Sequence, residues 1–277
     1  MTWAKKTVHW VEDTNAYLSI PFTWELPEAY SLCVWYHKQG YEVFAGGPGV
    51  SLMPSYLSGV ANIGGQQDAL WRHNPDATFT SRGCIRHCSF CAVPKIEGEL
   101  VELINWEPKP IVCDNNLLAC SRKHFDNVID RLKPLKGIDF NQGLDSRLLR
   151  DFHVERFQEL SLKVVRLAWD NVYLEDGVRN AIQKLLAAGF PARKIRVYVL
   201  VGFDDTFEDA LYRCQTLKAQ GILPNVQRYQ PLDTLRKNSF IGGNWTKQQL
   251  ADFCRYWNRG NWLGHIPFEE YSRSKSS

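Results

Sequence analysis

What this chain lacks narrows its reading first. No apolar run approaches the roughly 20 residues that a membrane-spanning helix needs; the longest, such as Val197-Tyr198-Val199-Leu200-Val201, stop far short. The start, Met1-Thr2-Trp3-Ala4-Lys5-Lys6, leads into Thr7-Val8-His9-Trp10 and not into the apolar stretch of a secretory signal. The two absences predict a cytoplasmic chain with no membrane partner, in a compartment where thiols are kept reduced. Eight cysteines among 277 residues are too sparse for a disulfide scaffold, and that compartment does not favour one. Metal binding, redox chemistry or plain burial remain for them. No phosphate-binding glycine loop and no serine-nucleophile motif is present, and the seven histidines have no acid or base partner recognisable from sequence. There is no internal repeat and no low-complexity tract; only residues 272–277 read as a frayed tail.

What is there supports a packed protein. Hydrophobic residues make up 44% and charged residues 23%, which excludes global disorder and predicts one large domain, or one domain with an appendage. The formal net charge of +3 says little about partners, but its distribution is uneven. From Asn225 to Ser277 eight Lys/Arg face four Asp/Glu, so the end of the chain is mildly basic. That reads first as an ordinary solvated surface and second as a face for an anionic substrate.

Turn signals and hydrophobic periods predict three parts: a small α/β subdomain over 1–76, a regular strand–helix repeat over 77–231, and a closing segment over 232–277. In the first part 16–20 and 42–45 are strand-like, and 27–39 reads as a helix stopped by Gly40. Gly46-Gly47-Pro48-Gly49 follows the second strand directly and demands a tight turn. In the second part the strand-like runs are 77–81, 110–113, 137–141, 164–168, 195–201 and 225–229, with helical stretches between most of them. Over 177–188, Val178, Ala181, Ile182, Leu185 and Leu186 share one helix face, and Gly189 and Pro191 end it. Thr206-Phe207-Glu208-Asp209 has the form of a capping box. Strands alternating with helices across short loops predict an α/β fold with a parallel sheet. Right-handed crossovers would curl six such strands into a partial (β/α)6 barrel of the TIM type or leave them open. In either shape chemistry belongs at the C-terminal edge of the strands.

Directly after the first strand of the repeat comes Ser81-Arg82-Gly83-Cys84-Ile85-Arg86-His87-Cys88-Ser89-Phe90-Cys91. Three thiols fall within eight residues, spaced Cys-x3-Cys-x2-Cys, so one loop can wrap a single metal centre. A structural zinc takes four protein ligands, and a complete iron–sulfur cubane usually has four cysteines. Three would leave one iron of a cubane open. The competing reading is zinc, completed by His87, His73 or Cys113. Chance clustering of buried cysteines suits a core segment, and a loop with Gly83, Ser81 and Ser89 is not one.

The triplet resembles the cluster loop of the radical S-adenosylmethionine (SAM) superfamily, including the aromatic Phe90 before the last cysteine. The resemblance implies a [4Fe–4S] cluster on Cys84, Cys88 and Cys91, whose open iron chelates the amino and carboxylate groups of SAM. One electron then cleaves the sulfonium to a 5′-deoxyadenosyl radical, which abstracts hydrogen from a substrate. An electron donor such as a flavodoxin or a ferredoxin is implied as a partner. The likeness covers roughly 77–231. Asp114-Asn115-Asn116 resembles the acidic/Asn motif of the cobalamin-class branch, near the SAM amino group. Asn141-Gln142-Gly143 follows the third strand, with Asp145 and Arg147 beyond. Leu167-Ala168-Trp169-Asp170-Asn171 takes the place of a segment facing the ribose and carboxylate. Tyr198 to Asp205 resembles a Gly-x-Ile-x-Gly-x-x-Glu motif beside the adenine, with Tyr198 in place of the first glycine and Asp205 in place of the glutamate. The candidates for holding SAM are thus Phe90, Asp114, Asn116, Gln142, Asp170, Asn171 and Leu200. Asp114, Asp145, Asp170 and Asp205 also read as turn residues or helix caps.

The strand and glycine turn from Tyr41 to Val50 resemble those of cobalamin-binding domains that precede such barrels. The cobalt-ligating Asp-x-His-x-x-Gly is missing, and Asp151-Phe152-His153 lacks its glycine. This implies a shrunken domain that no longer binds cobalamin, with a histidine-free mode as the alternative. The methylthio-transferring branch is disfavoured, because its extra N-terminal cysteines are absent. Cys33, Cys113, Cys120, Cys214 and Cys254 read as small core residues, Cys113 being the one near the expected site. Between Asp252 and Trp262 aromatics alternate with arginines. They suit base and phosphate recognition, but Phe253, Tyr256 and Trp257 fit one helix face better, so core packing is expected. The substrate is not readable; a nucleotide, a nucleic acid or a peptide fits the basic C-terminal part. The other function classes are a zinc-stapled nucleic-acid-binding module and an iron–sulfur electron carrier.

Overall fold

The computed structural model describes residues 6–64, 69–259 and 266–271. The chain divides into two compact units. The first comprises residues 1–78, 86–99 and 230–239, and the second 79–85, 100–229 and 240–277.

The first unit holds a four-stranded sheet of β1 (Val8–Glu12), β2 (Asn15–Ser19), β3 (Glu42–Gly46) and β4 (Asn62–Ile63), in that order. β1 pairs antiparallel with β2, while β2–β3 and β3–β4 are parallel. Helix α1 (Leu26–Lys38) is the parallel crossover. Its Leu26, Ala29, Cys33 and Tyr36 recur at three- and four-residue spacing, and they bury against Ala16, Leu18, Val43 and Ala45. Gly40, at φ +88°, ends the helix as expected. The glycine turn after β3 opens α2 (Pro48–Leu52), and its reason is close approach. A Cβ on Gly47 would lie 2.7 Å from the Ile20 carbonyl oxygen, and one on Gly49 2.7 Å from the Phe22 backbone. Short helices α3 (Leu70–His73) and α4 (Val93–Ile96) and strand β5 (Ala77–Thr78) complete the elements of this unit.

The second unit opens with β6 (Ser81–Arg82) paired antiparallel with β7 (Val101–Glu102). There follow β8 (Ile111–Val112), α5 (Arg122–Leu132), β9 (Lys136–Phe140), α6 (Asp151–Gln158), β10 (Ser161–Ala168), α7 (Glu175–Ala187), β11 (Ile195–Val201), α8 (Phe207–Ala219), β12 (Leu223–Arg228) and α9 (Lys247–Asn258). The fold of this unit is α/β around a parallel sheet whose strands run β12-β11-β10-β9-β8, with all four pairings parallel. The expected face of α7 is the buried one: Val178, Ala181, Ile182 and Leu185 enter the core, while Leu186 stays 37% exposed. Thr206 and Asp209 form the expected capping box of α8. On α9, Leu250, Phe253, Tyr256 and Trp257 are core residues, so these aromatics pack. Residues 260–262 of that segment and the tail at 272–277 lie outside the described residues. Among the described residues no helix is long and apolar enough to cross a membrane.

The two faces of the parallel sheet differ. On β11, Ile195, Val197, Val199 and Val201 are fully buried, while Arg196, Tyr198 and Leu200 between them are half-buried. Register places Arg166 beside Arg196 and Tyr198 beside Asn225, so one face is polar across three strands. Parallel sheets covered by helices on both faces are apolar on both. Here only one face is, which leaves the other for polar chemistry.

His153 on α6 is buried, with its ring 3.9 Å from that of Phe152 and its Nδ1 accepting the Arg150 backbone N–H at 3.0 Å. Burial, and secondarily the charges of Arg150 and Arg122, pull its pKa down from 6.5 to about 4. The folded state then binds fewer protons than the unfolded one. Its contribution is present above pH 6.5 and is lost as pH falls toward 4, with a slope of at most about 1.4 kcal/mol per pH unit. Urea unfolding at pH 7 and pH 5 should show wild type losing on the order of 1 kcal/mol more than His153→Gln. Equal losses in the two proteins would dismiss the assignment.

Candidate metal and cofactor site

The cysteine loop begins in the second unit, where β6 ends. Sequence reads one strand over 77–81, but the structure breaks it at Thr80. The Thr80 N–H donates to Asp114 Oδ1 at 2.6 Å instead of to a neighbouring strand. Asp114 Oδ2 also accepts from the Thr80 hydroxyl and, at 2.9 Å, from the Ser81 hydroxyl. Thr80 and Ser81 are fully buried, and Asp114 nearly so. Burial pushes the Asp114 carboxyl above the usual range, while the hydrogen bonds from Thr80 and Ser81 pull against that shift. Asp114 therefore ties the end of β8 to the root of the loop.

Two residues further on, Asn116 is 3% exposed. Its Nδ2 donates to Cys84 Sγ at 3.5 Å, and its Oδ1 has no hydrogen-bond partner among the described residues. Gly83, at φ +72°, turns the chain from β6 into Cys84, a conformation that a side chain would strain. Cys113 is buried, and burial pushes the nearby Cys120 thiol up to about 12.

Cys88, Phe90 and Cys91 belong to the first unit and are half-buried, as is Cys84 in the second. The Cys91 N–H donates to the Cys88 carbonyl at 3.0 Å, closing a turn that runs into α4. His87, considered as a fourth zinc ligand, is exposed and faces Glu99 at 3.4 Å. His73 bonds the Ser19 hydroxyl through Nε2 at 2.9 Å. Among the described residues no group of three His, Cys, Asp or Glu side chains is placed to hold a metal ion. The three thiols are each half-buried, and a buried amide donor lies against that of Cys84.

The remaining candidates lie at successive strand ends of the second unit. After β9, Gln142 is exposed. Gly143, at φ +89°, lets the Tyr198 ring close in; a Cβ there would be 3.0 Å from Tyr198 Cδ2. Asp145 pairs with Arg147 at 2.7 Å. After β10, Trp169 is fully buried, Asp170 half-buried and Asn171 exposed. Burial raises the Asp170 pKa first; Arg213 and Arg147 oppose the shift and Asp145 adds to it. Leu200 is half-buried on the polar face, and its carbonyl accepts from Arg213 Nη1 at 3.0 Å. The same nitrogen holds the Trp169 carbonyl at 2.8 Å, so Arg213 joins the ends of β10 and β11.

Sequence reasoning singled out Asp205 as a motif position or cap, but not Arg213 or Trp245, which organise this edge with it. Arg213 is fully buried and pairs with Asp205 at 2.5 Å. Asp205 Oδ1 accepts the Gly202 N–H at 2.8 Å, and the Trp245 indole donates to both the Asp205 carbonyl and Oδ1. The available signal was Arg213 lying on the same helical stripe as Ala210, Cys214 and Leu217. On the polar face Asp139 accepts two bonds from Arg166, at 2.6 and 2.8 Å, and the Tyr198 hydroxyl donates to the Asn141 carbonyl at 2.9 Å. Tyr198 thus packs over Gly143 and is tied to the end of β9.

No protein-family model matches the chain, and no curated protein matches it.

Proposed function

We propose that the chain is a radical SAM enzyme, in which Cys84, Cys88 and Cys91 hold a [4Fe–4S] cluster. The observation that carries the reading is the triplet: three half-buried thiols at Cys-x3-Cys-x2-Cys spacing, leaving β6 ahead of a parallel α/β sheet. The other five cysteines do not share this setting. Cys33, Cys113 and Cys214 are buried, and burial pushes the thiols of Cys120 and Cys254 up to about 12 and about 11. By residue type and spacing in the sequence the three thiols suit an iron–sulfur cluster bound at three corners, and the unpartnered Asn116 Oδ1 beside Cys84 suits a further polar ligand. The engagement of His87 and His73 elsewhere supports this reading over zinc.

Cys84, Cys88 and Cys91 would hold the cluster, which when bound would supply the single electron for reductive cleavage of SAM. The protein's own part is to hold and shield. Asp114 anchors the loop root through Thr80 and Ser81. Phe90, Asn116, Gln142, Asp170, Asn171 and Leu200 would hold SAM along the strand ends of a partial (β/α)6 barrel. Residues 1–76 would form a reduced domain that does not take cobalamin, with 77–231 as the barrel and 232–277 closing it. The half-buried polar face with Arg166, Tyr198 and Arg196 offers the substrate groups to bond in a site that must exclude water. A nucleotide, a nucleic acid or a peptide suits that polarity, and a flavodoxin or ferredoxin suits the need for single electrons.

The test is anaerobic purification with iron, sulfide and zinc analysis, followed by reduction and incubation with SAM. About four irons and four sulfides per chain, with 5′-deoxyadenosine formed, is the expected result. A colourless stoichiometric zinc protein would replace this reading with a binding module, and a cluster that never cleaves SAM would make the chain an electron carrier.

A further inference from the structure

We propose that the polar face of the parallel sheet binds a carboxylate group of the substrate, through the guanidinium of Arg196 and the side-chain amide of Asn225. The inference rests on the reading that this face meets the substrate and on no metal. All of its residues belong to the second unit. Strand alternation puts Asp139, Arg166, Arg196, Tyr198 and Asn225 on one face, while their neighbours Ile138, Val165, Val197 and Val226 lie in the hydrophobic core.

Most polar groups of this face already have partners. Arg166 gives Asp139 two hydrogen bonds, at 2.6 and 2.8 Å, so that carboxylate balances that guanidinium. The Tyr198 hydroxyl donates to the Asn141 carbonyl at 2.9 Å. Asn225 Oδ1 accepts from Gln227 Nε2 at 2.8 Å, which leaves Asn225 Nδ2 as a donor. Arg196 is half-buried and, among the described residues, makes no hydrogen bond or ion pair. Neither its nitrogens nor Asn225 Nδ2 are sealed from solvent, so a ligand can reach them. Arg196 stands between Arg166 and Leu223 in the sheet, and Asn225 follows Leu223 by two residues. The free guanidinium and the free amide therefore sit on adjacent strands, roughly 8 Å apart at the backbone by strand spacing and rise, within reach of one small anion.

Charge and shape choose the ligand. Two arginines and one aspartate leave one positive charge, which a carboxylate balances and a phosphate dianion would overshoot. The planar guanidinium fork matches the two coplanar oxygens of a carboxylate. A half-buried setting limits competition from water and salt. Leu223, beside Arg196, offers apolar contact to the body of the ligand. The place is also distinct from the strand ends. Arg196 precedes Leu200 by four residues, ~13 Å along β11.

The experiment is isothermal titration calorimetry of the full-length protein with benzoate, acetate and inorganic phosphate. Wild type should bind benzoate best and phosphate least. Arg196→Gln should weaken benzoate by about tenfold or more, as loss of a charged hydrogen-bonded pair does, and Asn225→Leu by about fivefold. Arg196→Lys keeps the stem and the charge without the fork; it should fall between wild type and glutamine, and it reports on the site if glutamine disturbs folding. Arg193→Gln, at an exposed arginine just before β11, should bind as wild type does. Wild-type binding no tighter than about 10 mM, unchanged affinity in the Arg196 variants, or equal losses at Arg193 and Arg196 would overturn the site. Preference for phosphate would overturn the carboxylate assignment, and displacement of benzoate by SAM would place Arg196 in the cofactor's site instead. The titration needs no cluster, so its failure leaves the enzyme reading standing. A chain that binds benzoate but no iron would keep this site and lose that reading.

Discussion

Cys88→Ala is expected to bind no cluster after anaerobic reconstitution and to form no 5′-deoxyadenosine, while its far-ultraviolet circular dichroism matches wild type. The reason is the count of ligands. A cubane held at three corners has no spare thiolate, and the two sulfurs left cannot retain it against solution thiols. The fold should tolerate the change, because Cys88 is half-buried in a loop and outside both hydrophobic cores. Substitutions at such positions usually cost under about 1 kcal/mol. Cys254→Ala is the matched comparison. Cys254 lies on α9, packed at the edge of the core, with its thiol pushed up to about 11 by burial. Its removal should leave iron content unchanged. Retention of full iron and SAM cleavage by Cys88→Ala would show the ligands to be misassigned, and loss of about half the iron in Cys254→Ala would reveal a second centre.

The second large effect belongs to Arg213. Its guanidinium is fully buried and bonds Asp205, the Trp169 and Leu200 carbonyls and the Asp209 carbonyl. Burial works against both charges, raising the Asp205 pKa and lowering that of Arg213. Each charge is tolerated only because the other is present. Arg213→Ala should destabilise the protein by about 3–5 kcal/mol, since it strands a buried carboxylate and takes a donor from three carbonyls. For a unit of this size that corresponds to a melting temperature lower by on the order of 10 °C. Arg213→Met combined with Asp205→Leu should recover much of the loss, because a buried pair replaced by apolar groups is often close to neutral. A single variant within 1 kcal/mol of wild type by urea unfolding, or a double variant as unstable as the sum of its parts, would show that the pair does not act as a unit.

Much of the architecture was legible in the chain because it is locally encoded. The α7 face, the stop at Gly40 and the Thr206 capping box each depend on residues within one or two helical turns, where spacing alone decides which side chains coincide. The alternation of β11 was equally open, with aliphatics at every second position. β1 escaped notice because its burial is weak, and its pairing with β2 depends on Asp13 adopting φ +52°. The expected strand at 77–81 was too long for a tertiary reason: the Asp114 carboxylate, 34 residues away, takes the Thr80 N–H that a strand would need.

The same distinction runs through the candidate site. Residue type and spacing alone picked out Cys84, Cys88 and Cys91 as candidate ligands and predicted the parallel α/β order that follows them. Ligand chemistry and helical or strand periods are short-range properties, and they survive without coordinates. Only the tertiary structure decided that Asp114 braces the loop, that Asn116 points its amide at Cys84, and that Arg213 with Asp205 joins the ends of β10 and β11. Asp114 and Asn116 reach partners 32 to 34 residues away in sequence, and Arg213 reaches the Trp169 carbonyl 44 residues away. Bonds of that range exist only once a sheet has set its register, because burial then excludes water and leaves each polar group a single partner within reach.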